Sequence, residues 1–280
     1  MIKVGDQFLD LKTPVVMGIL NVTPDSFYDG GKYLSEVKLI ERIHQIVEEG
    51  AAIIDVGAYS TRPGAAFVDE KEEIGRLSVA VELIRKHYPR ALVSIDTFRS
   101  KVAEEIVTCL GPVIINDISG GTMDEHMFEY VARTGMPYIM MHIQGTPQTM
   151  QKNPVYENVV RDVRAFFEDR IARLNDLGFN RIILDPGFGF GKTLAHNYEL
   201  MEGMDSFKDL GYPLLVGISR KSMIYKLLET TATEALNGTT VLNTVSLMKG
   251  ADILRVHDVK EAVQAIKLVG QLTSSRLKEA

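Results

Sequence analysis

The chain has 280 residues, 45% of them hydrophobic, a net charge of -6 and one cysteine. That length holds one large core or two modest ones, and single α/β barrels reach it. Interspersed charges argue against a nucleic-acid partner, and a lone cysteine forbids an internal disulfide and fits the cytoplasm. The start carries no leader-like apolar segment, and no apolar run is long enough to span a bilayer, so no membrane association is expected.

The first apolar run, Val15 to Leu20, stops at Asn21 and gives way to Thr23, Pro24, Asp25, Ser26, Asp29, Gly30 and Gly31. A plain turn needs less polar chemistry than this. A helix is predicted next, with Ser35 as its N-cap, an apolar stripe of Val37, Ile40, Ile43 and Val47, and Gly50 as its closing glycine. "AAIIDVG" then carries Asp55 and leads into a loop with Thr61 and Arg62 before Pro63 and Gly64. A second helix follows, with Ile74, Leu77, Val81 and Ile84 inward and Pro89 as its stop. "ALVSID" ends in Asp96, "PVIIND" in Asn116 and Asp117, and "PYIMMH" in His142. The stretch 155–178 reads as a longer helix ending at a glycine. "RIILD" ends in Asp185, "PLLVGISRK" in Ser219, Arg220 and Lys221, and "ADILRVH" in Arg255 and His257, the last two strands being followed by helical patterns.

The apolar runs are near-continuous, as strands buried on both faces are, and they alternate with helices. Eight such units predict one (β/α)8 barrel domain over residues 1–280. An open doubly wound sheet uses the same alternation, but no dinucleotide glycine fingerprint accompanies it, and "GFGFGK" lacks the P-loop spacing. In a barrel the active site lies at the carboxyl ends of the strands. Asn21, Asp55, Asp96, Asn116, His142, Asp185, Lys221, Arg255 and His257 would then gather at one mouth.

Asp96, Asn116 and Asp185 together suit a flat heterocycle with several N–H donors and a carbonyl, such as an amino-pyrimidinone. Singly, each could merely start a turn or cap a helix. Arg255 and His257 alternate onto one face of an extended run and can act on one anion, where barrels often hold phosphate. Lys221 could pack on or hydrogen-bond a ring, or form a Schiff base as in an aldolase, which borohydride trapping would reveal. Asn21 could give one oxygen to a hard cation such as Mg²⁺. His44, His87, His126 and His196 lack zinc-ligand spacing, and no nucleophile elbow is present. Met140 and Met141 read as core or pocket wall.

In order along the chain stand "NVTPDSFYDGG", "STRPG", "SIDT", "NDISGG", "DPGFGFGKT", "GISRKS" and "RVHD". This series resembles the dihydropteroate synthase family, the folate-pathway enzymes that sulfonamides inhibit. The resemblance implies condensation of p-aminobenzoate with 7,8-dihydropterin-6-ylmethyl diphosphate, releasing diphosphate. It implies that Asp96, Asn116, Asp185, Lys221, Met141, Phe190 and Gly217 hold the pterin. Asn21, Thr61, Arg62, Arg255 and His257 would handle the diphosphate, and Phe27, Pro63, Arg220, Lys221 and Ser222 would border the aminobenzoate. Asn21 would bind Mg²⁺, while Arg255, His257, Lys221 and Asp96 would carry the catalytic roles. The loop after Asn21 would be a lid over the second-substrate site, and the enzyme a cytoplasmic homodimer meeting through its last helices. One departure is Tyr59, where many family members have Glu, so that any carboxylate role of that position is lost here. The nearest rival is a pterin-binding methyltransferase domain using methyltetrahydrofolate, which has no need of the opening motif or the Arg255/His257 pair. A pterin-binding protein without chemistry would keep the acids and lose the diphosphate residues.

Overall fold

A computed structural model describes residues 1–22, 31–59 and 68–278, with side-chain positions for all of these but 31–35 and 273–278. An antiparallel hairpin comes first, β1 (Ile2–Val4) with β2 (Gln7–Leu9). The barrel strands follow: β3 (Val15–Asn21), β4 (Ile53–Gly57), β5 (Leu92–Asp96), β6 (Ile114–Asp117), β7 (Tyr138–Met141), β8 (Ile182–Asp185), β9 (Leu215–Val216) and β10 (Ile253–Val256). They form one parallel sheet in the order β8-β7-β6-β5-β4-β3-β10-β9. A parallel bridge between Leu184 and Leu214 joins its two ends, so the sheet closes into the expected (β/α)8 barrel. The helices are α1 (Gly31–Glu48), α2 (Glu70–His87), α3 (Ser100–Leu110), α4 (Met127–Thr134), α5 (Val159–Asp176), α6 (Leu194–Glu202), α7 (Ser222–Tyr225), α8 (Leu236–Met248) and α9 (Val259–Lys278). A 3₁₀ segment, Met204–Leu210, follows α6.

Strand alternation sorts the side chains into two cores. Val16, Leu20, Ile54, Val56, Val93, Ile95, Ile115, Met140 and Leu184 face outward and pack with the helices. Met17, Ile53, Leu92, Ile114, Ile139, Ile183, Leu215 and Ile253, one from each barrel strand, fill the interior with Ile2, Val4 and Leu9 of the hairpin. The hairpin, which the sequence reading did not predict, therefore floors the barrel at the end opposite the mouth. Its strands are three residues each, too short for a periodic signal.

Two helix starts differ from expectation. α1 begins at Gly31, so Ser35 lies inside it rather than capping it, and its buried side chains are Leu39, Ile43 and Ile46. Gly50 does close it, at φ 96°. α5 begins at Val159, not near Val155: the Gln144 side chain takes both backbone groups of Val155, at 2.8 and 3.0 Å. Asn158 caps α5 instead, accepting from the Arg161 N–H at 2.8 Å. Among the described residues, no helix is long and apolar enough to cross a membrane.

Candidate active site

The same alternation that puts an apolar layer on the floor puts polar groups above it. Two residues beyond each floor position stand Ile19, Asp55, Ser94, Asn116, Met141, Asp185, Gly217 and Arg255, and two further on in the longest strands Asn21, Gly57 and Asp96. Strand register carries Asn21, Gly57, Asp96 and Asn116 into one row across four strands. The mouth is thus a direct consequence of where the apolar sequence ends in each strand.

Arg255 is the hub. Its Nε donates to Asp55 Oδ2 at 2.7 Å, and its Nη2 donates to Asp96 Oδ2 at 2.9 Å. One edge of the guanidinium is taken by two carboxylates, while the Nη1 hydrogens on the other side have no partner among the described residues. The two acids hold Arg255 firmly in its charged form despite burial. Burial raises Asp96 to about 7, with Arg255 opposing the shift. Asn116 donates through Nδ2 to both oxygens of Asp55, at 3.2 and 3.3 Å. An amide oxygen facing that carboxylate would be repelled, so Asn116 offers Oδ1 as its acceptor for a ligand.

Asp185 accepts the Gly187 N–H at 2.8 Å, and burial raises it above the ordinary carboxylate range, against the nearby Lys221 charge. Lys221 follows β9, donates to the Phe188 carbonyl at 2.5 Å, and lies 4.6 Å from the centre of the Phe190 ring. Burial lowers it to about 8. Gly217 keeps this corner open: a Cβ there would lie 3.8 Å from Arg255 Cβ and 3.9 Å from Lys221 Nζ, in space that a ligand edge could fill. Met141 is buried with Phe98, Ile118, Ile143 and Met150, and Phe190 and Tyr59 pack on this apolar wall. Tyr59 meets Phe98 edge-on at 5.6 Å and accepts from Gln148 at 3.2 Å, so the position that departs from the family pattern serves as a wall.

His257 lies beyond β10 with its Nδ1 3.1 Å from Ser219 Oγ. Burial, then the Arg255 charge, lowers it to about 4, so the ring is neutral at pH 7. Its carbonyl accepts from Arg42 of α1 at 2.7 Å. Arg220, at φ 54°, spends its guanidinium on Asp258 through two 2.8 Å bonds and on the Ala232 and Thr233 carbonyls at 3.0 and 2.6 Å. Ser222 opens α7 beside Lys221. Asn21 ends β3 exposed, its Oδ1 3.5 Å from where a Gly57 Cβ would stand. Phe27, Thr61, Arg62 and Pro63, and the loop expected to act as a lid, lie outside the described residues.

His142 is a correction. It follows directly on β7 at the mouth side, but alternation turns it outward, and it is buried beneath the loop after β8, edge-on to Phe166 at 4.8 Å. Asp55, Ser219 and Lys192 had no role assigned from the sequence. Asp55 was legible by alternation alone, whereas Ser219 and Lys192 depend on how loops fold back.

Comparison with known proteins agrees with this geometry. Residues 17–257 match the model of the pterin binding enzyme family. A dihydropteroate synthase of Escherichia coli K12 is 44% identical over 270 residues, covering 96% of this chain and 95% of the relative. The Yersinia pestis dihydropteroate synthase, solved with a sulfonamide drug complex, superposes with a TM-score of 0.90 at 41% identity, covering 98% of this chain and 99% of that one. The Xanthomonas albilineans enzyme in complex with 7,8-dihydropteroate gives 0.86 at 31% identity, covering 97% and 98%. A barrel whose inward strand ends present Asp96, Asn116, Asp185 and Arg255 thus matches these proteins along nearly its whole length, and the chain belongs to the dihydropteroate synthase family.

Proposed function

We propose that the mouth joins p-aminobenzoate to 7,8-dihydropterin-6-ylmethyl diphosphate, as a transferase of the folate pathway. The observation that carries this reading is the inward polar tier itself, acid and amide acceptors on one side and Arg255 with His257 on the other. Relatives matching nearly the whole chain are dihydropteroate synthases, so the methyltransferase alternative is not favoured.

The pterin lies with its N–H edge on Asp185, its ring face on the Met141 wall, and its carbonyl side toward the Lys221 ammonium, which packs on Phe190. Asp96 and Asn116 Oδ1 supply the remaining acceptors. The diphosphate takes the Nη1 edge of Arg255 and the His257 ring, with Thr61 and Arg62 of the second loop. As the C–O bond breaks, the electron pair leaves with the diphosphate, and the positive edge of Arg255 stabilises that growing charge. The pterin ring spreads the positive charge left on the methylene. The neutral aniline nitrogen attacks and then loses its proton to water or to the departing diphosphate, so no strong base is required. The lid after Asn21 keeps water from the cation. Because the Arg220 guanidinium is held by Asp258, the aminobenzoate border at that residue is its stem and backbone, beside Ser222, Phe27 and Pro63.

Mg²⁺ fits as an ion brought with the substrate. Among the described residues no group of three acids, histidines or cysteines could cage a cation, but Asn21 offers one oxygen, and Mg²⁺ commonly completes its shell with phosphate and water. When bound it would neutralise diphosphate charge. Val241 and Met248 on α8 and Leu268 and Leu272 on α9 are exposed, which supports a homodimer through these helices. The single cysteine supports a cytoplasmic enzyme.

The test is diphosphate release by the purified protein with the dihydropterin substrate and Mg²⁺, with and without p-aminobenzoate. Release matched by dihydropteroate and blocked by a sulfonamide is expected. Tight pterin binding without release would reduce the chain to a binding protein.

A further inference from the structure

The loop after β8 is held in an unusual way. Gly187, Gly189 and Gly191 alternate at φ 70°, 82° and 57°, a conformation that turns successive carbonyls to different sides. All five carbonyls from Gly187 to Gly191 accept a side-chain hydrogen bond. Lys192 takes Gly187 and Phe190, Lys221 takes Phe188, Gln151 takes Gly189, and Tyr156 takes Gly191. The loop also presses on the exit of β7, where a Cβ at Gly187 would come within 2.0 Å of the His142 carbonyl.

Lys192 is the centre of this arrangement and has no place in the reaction described above. It is 3% exposed, and its Nζ reaches Gly187 O at 2.9 Å, Phe190 O at 3.0 Å and His142 Nδ1 at 3.0 Å. Three donors meet three acceptors, which requires a neutral His142 accepting at Nδ1; burial, reinforced by the Lys192 charge, keeps that ring neutral. Burial lowers Lys192 to about 7, with the Asp185 charge opposing the shift, and the ammonium form is the one that uses all three hydrogens. The two carbonyls it binds are those of Phe190 itself and of Gly187, two residues after Asp185. Its charge also favours the ionised form of Asp185.

We propose that Lys192 is a positioning residue for the pterin site: its ammonium, anchored on His142, fixes the loop that presents the Asp185 carboxylate and the Phe190 ring. This rests on the pterin reading of Asp185 and Phe190. It predicts that Lys192→Met weakens pterin more than it weakens turnover.

The experiment measures pterin affinity by calorimetry, and kcat and both KM values, for the wild type, Lys192→Met, Lys192→Arg and Asp185→Asn. The expected result for Lys192→Met is a rise of about tenfold in pterin Kd and in KM for the dihydropterin substrate, the size of one charge-assisted hydrogen bond. KM for p-aminobenzoate and kcat at saturation stay within about twofold, and Lys192→Arg recovers part of the loss. Merely structural damage would lower the active fraction, and hence kcat, with both KM values unchanged; that outcome overturns the proposal. If Lys192→Met does not fold, His142→Leu, which removes one acceptor and keeps the ammonium, decides: unchanged pterin affinity overturns it. If Asp185→Asn binds pterin as the wild type does, the pterin reading has failed; if only Asp185→Asn is impaired, the Lys192 assignment alone has failed.

Discussion

The two ends of the barrel interior are built from the same strands and do opposite work. At the floor every strand turns an aliphatic or Met side chain inward, and the hairpin closes it with Ile2, Val4 and Leu9. Two residues along, the same strands offer Asp55, Asn116, Asp185 and Arg255; burial is tolerated because Asp55, Asn116 and Arg255 answer one another and Asp185 takes the Gly187 N–H. The floor gains stability by removing apolar area from water. The mouth gives up some of that gain to hold charges in fixed positions, ready for a ligand.

Replacements at the two ends should separate these roles. The largest effect is expected for Arg255→Ala, which strands Asp55 and Asp96 without their cation. Loss of one partner of a buried ion network costs about 3–5 kcal/mol. Urea unfolding should show that loss together with failed turnover; a variant that kept both would refute the hub. Ile114→Ala on the floor should cost about 2–5 kcal/mol of stability through the cavity it leaves. Turnover per folded molecule should remain, and a changed KM for either substrate would blur the division between floor and mouth. Asp185→Asn should leave melting nearly unchanged and weaken pterin by about 10- to 100-fold, because one of two acceptor oxygens becomes an NH2 donor facing the pterin N–H edge and the charge is lost.

Acidity sharpens the comparison, since the titrating groups belong to the mouth. Asp96 must be ionised to accept pterin N–H groups, so kcat/KM for the dihydropterin substrate should rise with pH through about 7. Lys221 must be charged to face the pterin carbonyl, so the same profile should fall above about 8. A flat profile from pH 6 to about 9 would remove both roles. The smallest effect concerns His257, neutral at pH 7 because burial holds it near 4. A diphosphate beside it raises it again, so binding should take up part of a proton and tighten as pH falls. Calorimetry in buffers of different ionisation enthalpy measures that uptake, and none would place the anion away from the ring.

Much of this was legible in the sequence because both signals are local. Each strand announces itself by an apolar run, and the polar residue that ends it marks the mouth; Asp96, Asn116, Asp185 and Arg255 follow from alternation alone. The rest depends on contacts between distant segments. Gln144 captures the backbone of Val155 and delays α5. Lys192 binds carbonyls that only the glycine turns bring to it. His142 looks like a site residue until its strand register turns it outward onto Phe166. The Arg220 guanidinium reads as a substrate contact until Asp258, on another strand's exit, claims it.

The central claim is that the inward polar tier is a pterin site, and the most direct measurement is a crystal structure of the chain with a dihydropterin bound. The pyrimidinone edge should lie on Asp185 with Asn116 Oδ1 and Asp96 beside it, the ring face on Met141 with its carbonyl toward Lys221, and the methylene pointing toward Arg255 and His257. A pterin seated elsewhere, or reversed with its methylene toward Asp185, would contradict the account.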